Sequence, residues 1–175
     1  AELLGQIMRN YDTPIAVSGT HGKTTTTSML SHILMAADCD PTISVGGILP
    51  SIGGNIRVGH SETFLTEACE YTNSFLSFFP KIGIILNMDA DHLDFFKDID
   101  DIRHSFREFA RLLPTDGMLI INADTPKYDY VTEGLGCKIV TYALENQSVA
   151  DYTAANITYD EFDHPSFCLL YTSDA

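Results

Sequence analysis

The amino-acid sequence predicts an α/β fold of the P-loop type: a mostly parallel sheet with helices on both faces and a β-hairpin near the C-terminus. Two observations carry this expectation. Short apolar runs alternate with helical patterns along the chain, as parallel strands joined by crossover helices require. One of those runs also leads directly into a glycine-containing loop that ends in a lysine at a helix start, Val17-Ser18-Gly19-Thr20-His21-Gly22-Lys23-Thr24-Thr25.

The elements follow in order. Ala1 to Met8 begins inside an amphipathic helical pattern with no capping residue before it, so upstream sequence is expected. The candidate strands are Ile15 to Val17, Phe64 to Thr66, Ile82 to Leu86, Met118 to Ile121 and Ile139 to Tyr142. They are apolar throughout, as strands covered on both faces are. Thr24 to Ala37 is expected to be a helix presenting Met29, Leu30, Ile33 and Leu34 on one face. A second helix carries Ile102, Phe106, Phe109 and Leu113 after the acidic start Asp98-Ile99-Asp100-Asp101, and Pro114 and Gly117 end it. The alternation from Tyr152 to Tyr159 predicts an edge strand, and Asp160 to Pro165 a hairpin turn. Cys168-Leu169-Leu170-Tyr171-Thr172-Ser173-Asp174-Ala175 resembles the translation of a transposon-based sequencing adaptor. Residues 168–175 are therefore expected to be a scar outside the functional unit 1–167.

Bulk properties limit the function classes. A chain of 175 residues, 45% hydrophobic and 19% charged, suits one core-bearing globular domain. A net charge of −14, from 24 acids against 10 bases, repels nucleic acid and anionic membrane surfaces. Any nucleotide site must therefore be locally basic or metal-dependent. No run of about 18 apolar residues and no signal-peptide pattern is present, which predicts a cytoplasmic protein. Cys39, Cys69, Cys137 and Cys168 lack C-x-x-C spacing, so neither a zinc site nor a disulfide framework is expected.

The loop has a definite chemistry. Small residues let backbone N–H groups turn toward phosphate oxygens, and the helix N-terminus adds partial positive charge. Gly19, Thr20, His21, Gly22, Lys23, Thr24 and Thr25 form the candidate nucleotide cradle. Lys23 is expected to reach the β- and γ-phosphates and the Thr24 hydroxyl to ligate Mg²⁺. The common pattern G-x-x-x-x-G-K-[ST] places glycine where this chain has Val17, a departure that marks a subtype.

Two acidic clusters follow apolar strands. Thr66-Glu67-Ala68-Cys69-Glu70-Tyr71 sets carboxylates at a strand's C-terminal edge, where doubly wound sheets bind ligands; Glu67 or Glu70 could hold the metal. Asn87-Met88-Asp89-Ala90-Asp91-His92-Leu93-Asp94 is too charged to bury without a cation or a strong hydrogen-bond network. His92 could ligate a second Mg²⁺ or hydrogen-bond its water shell. Read alone, the first cluster is better explained as a solvated loop, and the second is equally an acidic helix start with a capping Asp.

Together, the segments Gly19 to Met29, Glu67 to Leu76 and Asn87 to Asp94 resemble the ATP-binding central domain of the Mur ligases, over about Glu2 to Phe167. Three motifs in the right order are far more specific than the phosphate loop alone. The resemblance implies ATP and Mg²⁺ as cofactors and Lys23 and His92 as catalytic residues. It further implies Thr24, Glu67 and His92 as metal contacts, Asn87 as part of the nucleotide site and Glu70 as the second acid of its motif. The branch it favours joins L-alanine to UDP-N-acetylmuramate by an ADP-forming reaction through an acyl phosphate in peptidoglycan synthesis. The muropeptide-recycling ligases, folylpolyglutamate synthetase-like ligases and a plain nucleotide-binding module are the alternatives. The partners implied are the two substrates and N- and C-terminal domains in cis, so this fragment alone is expected to be inactive.

Some residues depart from the family pattern. Many members carry Asp where Thr72 stands, and a later His-Asn motif is not found. Val45-Gly46-Gly47-Ile48 and Gly53-Gly54-Asn55 resemble the region facing the sugar nucleotide, and read equally as flexible turns. Lys23→Ala is expected to abolish nucleotide binding without disturbing the fold.

Overall fold

In the computed structural model, which describes residues 1–171, all strands lie in one nine-stranded sheet. The strands are β1 (Thr13–Ser18), β2 (Thr42–Leu49), β3 (Gly54–Arg57), β4 (Thr63–Glu67), β5 (Ile82–Ile85), β6 (Met118–Asn122), β7 (Lys138–Ala143), β8 (Tyr152–Tyr159) and β9 (Pro165–Tyr171). Their spatial order is β3-β2-β4-β1-β5-β6-β7-β8-β9. The six pairings from β2 through β8 are parallel, and β3 and β9 are added antiparallel at the two ends. The helices are α1 (Glu2–Met8), α2 (Lys23–Ala36), α3 (Ile99–Ala110) and α4 (Tyr128–Thr132).

The strand β1 is flanked by β4 on one side and β5 on the other, so the connections leave it in opposite directions. Its C-terminal end is the topological switch point, the place where open α/β sheets hold ligands. Both faces of this strand are covered. Ala16 belongs to the larger core with Phe64, Phe75, Ile85, Phe106 and Phe109. Ile15 and Val17 point the other way and pack with Leu65, Ile84 and the α2 residues Leu30 and Leu34.

The rotation of α2 corrects the sequence reading. Thr27 and Ser31 are fully buried, while Met29 and Ile33 are 61% and 62% exposed. Lys23, Thr27, Ser31 and Leu34 follow i, i+4, i+8, i+11 and share one stripe. Lys23, turned inward to its ion-pair partner, thus lies on the stripe of the buried Thr27 and Ser31, and Met29 lies outside it. In α3 the pattern holds. Asp98 caps the helix by accepting from the amides of Asp100 and Asp101 at 3.1 and 3.0 Å, and Ile102, Phe106 and Phe109 are buried.

The glycine-rich segment after α2 also differs from expectation. Gly46 and Gly47 lie inside β2 and Gly54 opens β3, so Gly46, Gly47 and Gly54 are strand residues and not free turns. The hairpin at the other end is present, but β8 lies between β7 and β9, so β9 forms the edge. Only Tyr142 and Ala143 of β7 pair with β8, so the strand continues past the sheet with β9 as its partner. Cys168 to Tyr171, within the segment set aside as a scar, form the β9 end of that ladder, opposite Ala155 to Tyr152. That pairing uses backbone groups and is indifferent to side-chain identity. Thr172 to Ala175 lie outside the described residues. Among the described residues, no helix is long and apolar enough to cross a membrane.

Candidate nucleotide and metal site

The phosphate loop runs from the end of β1 to the first turn of α2. Gly19 has φ +139°, and a Cβ there would meet Leu86 Cβ at 2.9 Å and the Asn87 amide at 3.2 Å. Only glycine lets the loop pass this close to the chain leaving β5. Gly22, at φ 84°, caps α2, whose first intrahelical bond is donated by Thr26 to the Gly22 carbonyl. The amides of Lys23, Thr24 and Thr25 precede that ladder and have no intrahelical acceptor, which suits them to an anion.

The loop after β5 braces the phosphate loop from the side. Asn87 accepts the His21 amide at 2.8 Å and returns its own N–H to the His21 carbonyl at 3.0 Å. Thr20 donates its amide to the Asn87 carbonyl, and its hydroxyl accepts the Asp89 amide at 2.9 Å. The side-chain amide of Asn87 is thus spent on the backbone of the phosphate loop, a bracing part that spacing alone does not show. His21, Thr24 and Thr25 are exposed.

The two acids after β4 divide the work. Glu67 accepts the Thr24 hydroxyl at 3.0 Å on Oε2 and the Gly46 amide at 2.6 Å on Oε1. A Cβ at Gly46 would lie 2.8 Å from Glu67 Oε2, so the glycine is what lets β2 hold this carboxylate. Glu70 is 2% exposed, and its Oε2 accepts from Lys23 Nζ at 2.9 Å. Lys23 Nζ also donates to the carbonyls of Gly19 at 2.6 Å and Thr20 at 3.2 Å. The other Glu70 oxygen, Oε1, is buried without a hydrogen-bond partner among the described residues, and His92 Nε2 lies 3.8 Å from it.

His92 itself has φ 53°, and its amide is held by the Asp91 carboxylate at 2.7 Å. Its ring lies 4.6 Å from that of Tyr71, whose hydroxyl donates to Asp94 at 2.8 Å. That hydrogen bond to a carboxylate raises the Tyr71 phenol above its ordinary pKa. The structure thus groups His92 with Glu70 and Lys23, and Thr24 with Glu67. Sequence reading missed the Tyr71–Asp94 tie, and it singled out Val45 to Ile48 without foreseeing that the Gly46 amide holds Glu67.

Among the described residues, no three His, Cys, Asp or Glu side chains converge as a self-contained metal cage. Mg²⁺ does not require one. It keeps waters and takes one or two protein oxygens plus phosphate oxygens. Thr24 Oγ1 and Glu67 Oε2, 3.0 Å apart, and the unpartnered Glu70 Oε1 are hard oxygen donors of that kind.

A family model described as the Mur ligase middle domain matches residues 17–173. The chain belongs to this Mur ligase family. A UDP-N-acetylmuramate--L-alanine ligase of Agathobacter rectalis is 62% identical over 170 residues, covering 97% of this chain and 37% of the relative. The enzyme of the same name from Lachnospira eligens is 58% identical over 174 residues, covering 99% and 38%. The chain thus spans a little over a third of the length of these curated relatives. Among solved structures, the UDP-N-acetylmuramate-alanine ligase MurC of Thermotoga maritima aligns with TM-score 0.73 at 27% identity, over 88% of this chain and 33% of that one. A Neisseria meningitides ligase for UDP-N-acetylmuramate and L-alanyl-gamma-D-glutamyl-meso-diaminopimelate aligns with TM-score 0.82 at 24% identity, covering 97% and 55%. That likeness shows the shared Mur ligase fold.

Proposed function

We propose that this chain is the ATP-binding part of an ADP-forming ligase that joins L-alanine to UDP-N-acetylmuramate in peptidoglycan synthesis. The observation that carries the reading is the convergence of three separated motifs at the switch point beside β1, with Glu70 between Lys23 and His92, and Glu67 on the Thr24 hydroxyl. The choice of L-alanine rests on the names of relatives 58% and 62% identical, and the choice of acceptor on the same names. A cytoplasmic location, where ATP and the free amino acid are found together, accompanies it.

In the proposed reaction a muramate carboxylate oxygen attacks the γ-phosphorus of ATP and ADP leaves. The alanine amine then attacks the acyl carbon and expels phosphate. Such phosphoryl transfer is largely positioning and charge stabilisation. The amides at the start of α2 receive phosphate oxygens, Lys23 neutralises charge on the transferred group, and Asn87 and Thr20 keep the loop in shape. Thr24 and Glu67 would hold Mg²⁺, with Glu70 and His92 at the neighbouring position; bound there, the ion supplies Lewis-acid stabilisation of phosphate charge.

Substrate sites beyond the nucleotide belong to sequence outside this chain in this reading. The test is a chimera in which these residues replace the matching segment of the Agathobacter rectalis ligase. It should form UDP-N-acetylmuramoyl-L-alanine from ATP, L-alanine and UDP-N-acetylmuramate. A folded chimera that binds ATP but makes no such product would overturn the ligase assignment, leaving a nucleotide-binding module.

A further inference from the structure

The ammonium group of Lys23 has three N–H donors, and three acceptors take them: Gly19 O, Thr20 O and Glu70 Oε2. A phosphate oxygen that is to receive Lys23 must displace one of them. Displacing Glu70 strands a carboxylate that is 2% exposed and whose other oxygen has no hydrogen-bond partner among the described residues. A buried carboxylate left unpaired is strongly unfavourable. Keeping Glu70 on Lys23 instead sets a carboxylate and a triphosphate against one ammonium, and like charges so close repel. A second positive charge at Glu70 relieves either arrangement.

We propose that Glu70 exchanges partners. It holds Lys23 in the arrangement seen here, and takes a divalent cation when Lys23 turns to the phosphates, so that nucleotide and cation bind as a thermodynamically coupled pair. Glu70 then acts on the nucleotide through Lys23 and on the cation directly. It also restrains the loop against binding nucleotide without metal. Its other oxygen, Oε1, lies 3.8 Å from His92 Nε2 and has no hydrogen-bond partner among the described residues, so the replacement charge has an uncommitted oxygen donor there. The inference rests on the nucleotide-binding reading of the loop.

Titration of the 175-residue chain with ATP in excess chelator and in excess Mg²⁺ gives the coupling factor as the ratio of the two affinities. Glu70→Gln keeps the shape of the side chain and removes the charge that holds Lys23. It should bind metal-free ATP about tenfold more tightly than the parent, and the coupling factor should fall by more than that ratio, because the cation also loses a carboxylate ligand. A merely structural lesion weakens both affinities together. Metal-free affinity that is unchanged or reduced in Glu70→Gln would overturn the exchange.

Lys23→Met reads the same exchange from the other side with the metal alone. Freed of its ammonium partner, Glu70 should bind Mn²⁺ without nucleotide, seen as loss of the free-ion electron paramagnetic resonance signal, more tightly than the parent chain does. Equal Mn²⁺ affinity in the two proteins would contradict the proposal. If the parent chain bound no ATP under any condition, the nucleotide reading would fail while the Mn²⁺ comparison still decided the exchange at Glu70.

Discussion

The two ends of the sheet are built on different terms. Around β1, β4 and β5 both faces are covered, Ala16, Val17, Leu65 and Ile85 are fully buried, and the polar side chains at the strand ends are tied to one another. In the β8–β9 hairpin every residue of β9 is exposed, with Phe167 at 56%, Leu169 at 58% and Tyr171 at 64%. The first region gains stability from burial and can therefore hold charged groups in fixed positions. The second is held chiefly by its backbone ladder, with the Asp160 carboxylate closing the turn on the amides of Phe162 and His164 at 2.9 Å each. Charge-bearing chemistry needs the first kind of surroundings, because fixed polar groups act strongly only where the scaffold does not relax around them.

The comparison breaks most visibly by truncating one aromatic ring in each region. Phe109 is fully buried and stacks on Phe75 at 4.8 Å with ring planes 9° apart. Phe109→Ala should cost about 3–5 kcal/mol in urea unfolding, whereas Phe167→Ala should stay within about 0.5 kcal/mol. Lys23→Ala comes next. Expected from sequence to spare the fold, it instead removes the ion-pair partner of a buried carboxylate and should cost about 3 kcal/mol, besides losing ATP binding. Urea midpoints and ATP titrations of the same variant check both parts.

Smaller effects sharpen the same contrast. Thr72 sits at φ 54°, a conformation that strains a β-branched residue and that Asp tolerates better. Thr72→Asp should raise stability by about 1 kcal/mol, read as a higher unfolding midpoint. Gly46→Ala should change stability by less than about 1 kcal/mol, because the atom it meets is the movable end of Glu67. It should nevertheless displace that carboxylate from Thr24 and weaken Mg²⁺-dependent ATP binding, leaving metal-free binding unaltered.

The smallest effect concerns pH. The Arg57 guanidinium, with help from the His60 amide and ring, lowers Asp40 from 3.8 to about 2. A depressed carboxylate contributes stability that is present above its ordinary value and lost as pH falls toward the folded one. The urea midpoint should therefore drop between pH 3.8 and about 2, and Asp40→Asn should flatten that part of the profile.

Much of the central region was legible in the sequence because burial on both faces leaves continuous apolar runs. The strands around Ile15, Phe64, Ile82, Met118 and Ile139 all appear where those runs predict, β5 ending one residue short at Ile85. β2 and β3 were not legible, since a strand that carries Gly46 and Gly47 to let a carboxylate approach looks like a turn. The exposed face of α2 was misread for a related reason. Periodicity sees Met29 and Ile33 as apolar, but the buried stripe runs through Thr27 and Ser31, beside Leu30 and Leu34. Residue types at the site were legible, but their pairing was not. Asn87 braces His21, and Glu70 pairs with Lys23, through contacts between segments 66 and 47 residues apart that no local pattern encodes.

The central claim, that the loop and the two acidic motifs form one ATP site, is tested most directly by calorimetric titration of Mg²⁺-ATP into two proteins. One is the parent chain. The other carries Lys23→Met together with Glu70→Gln, so that both members of the buried pair become uncharged and neither is left stranded. The parent should bind saturably, and the double variant should unfold at nearly the parent's urea midpoint while binding no nucleotide. A double variant that bound Mg²⁺-ATP as tightly as the parent would contradict the account.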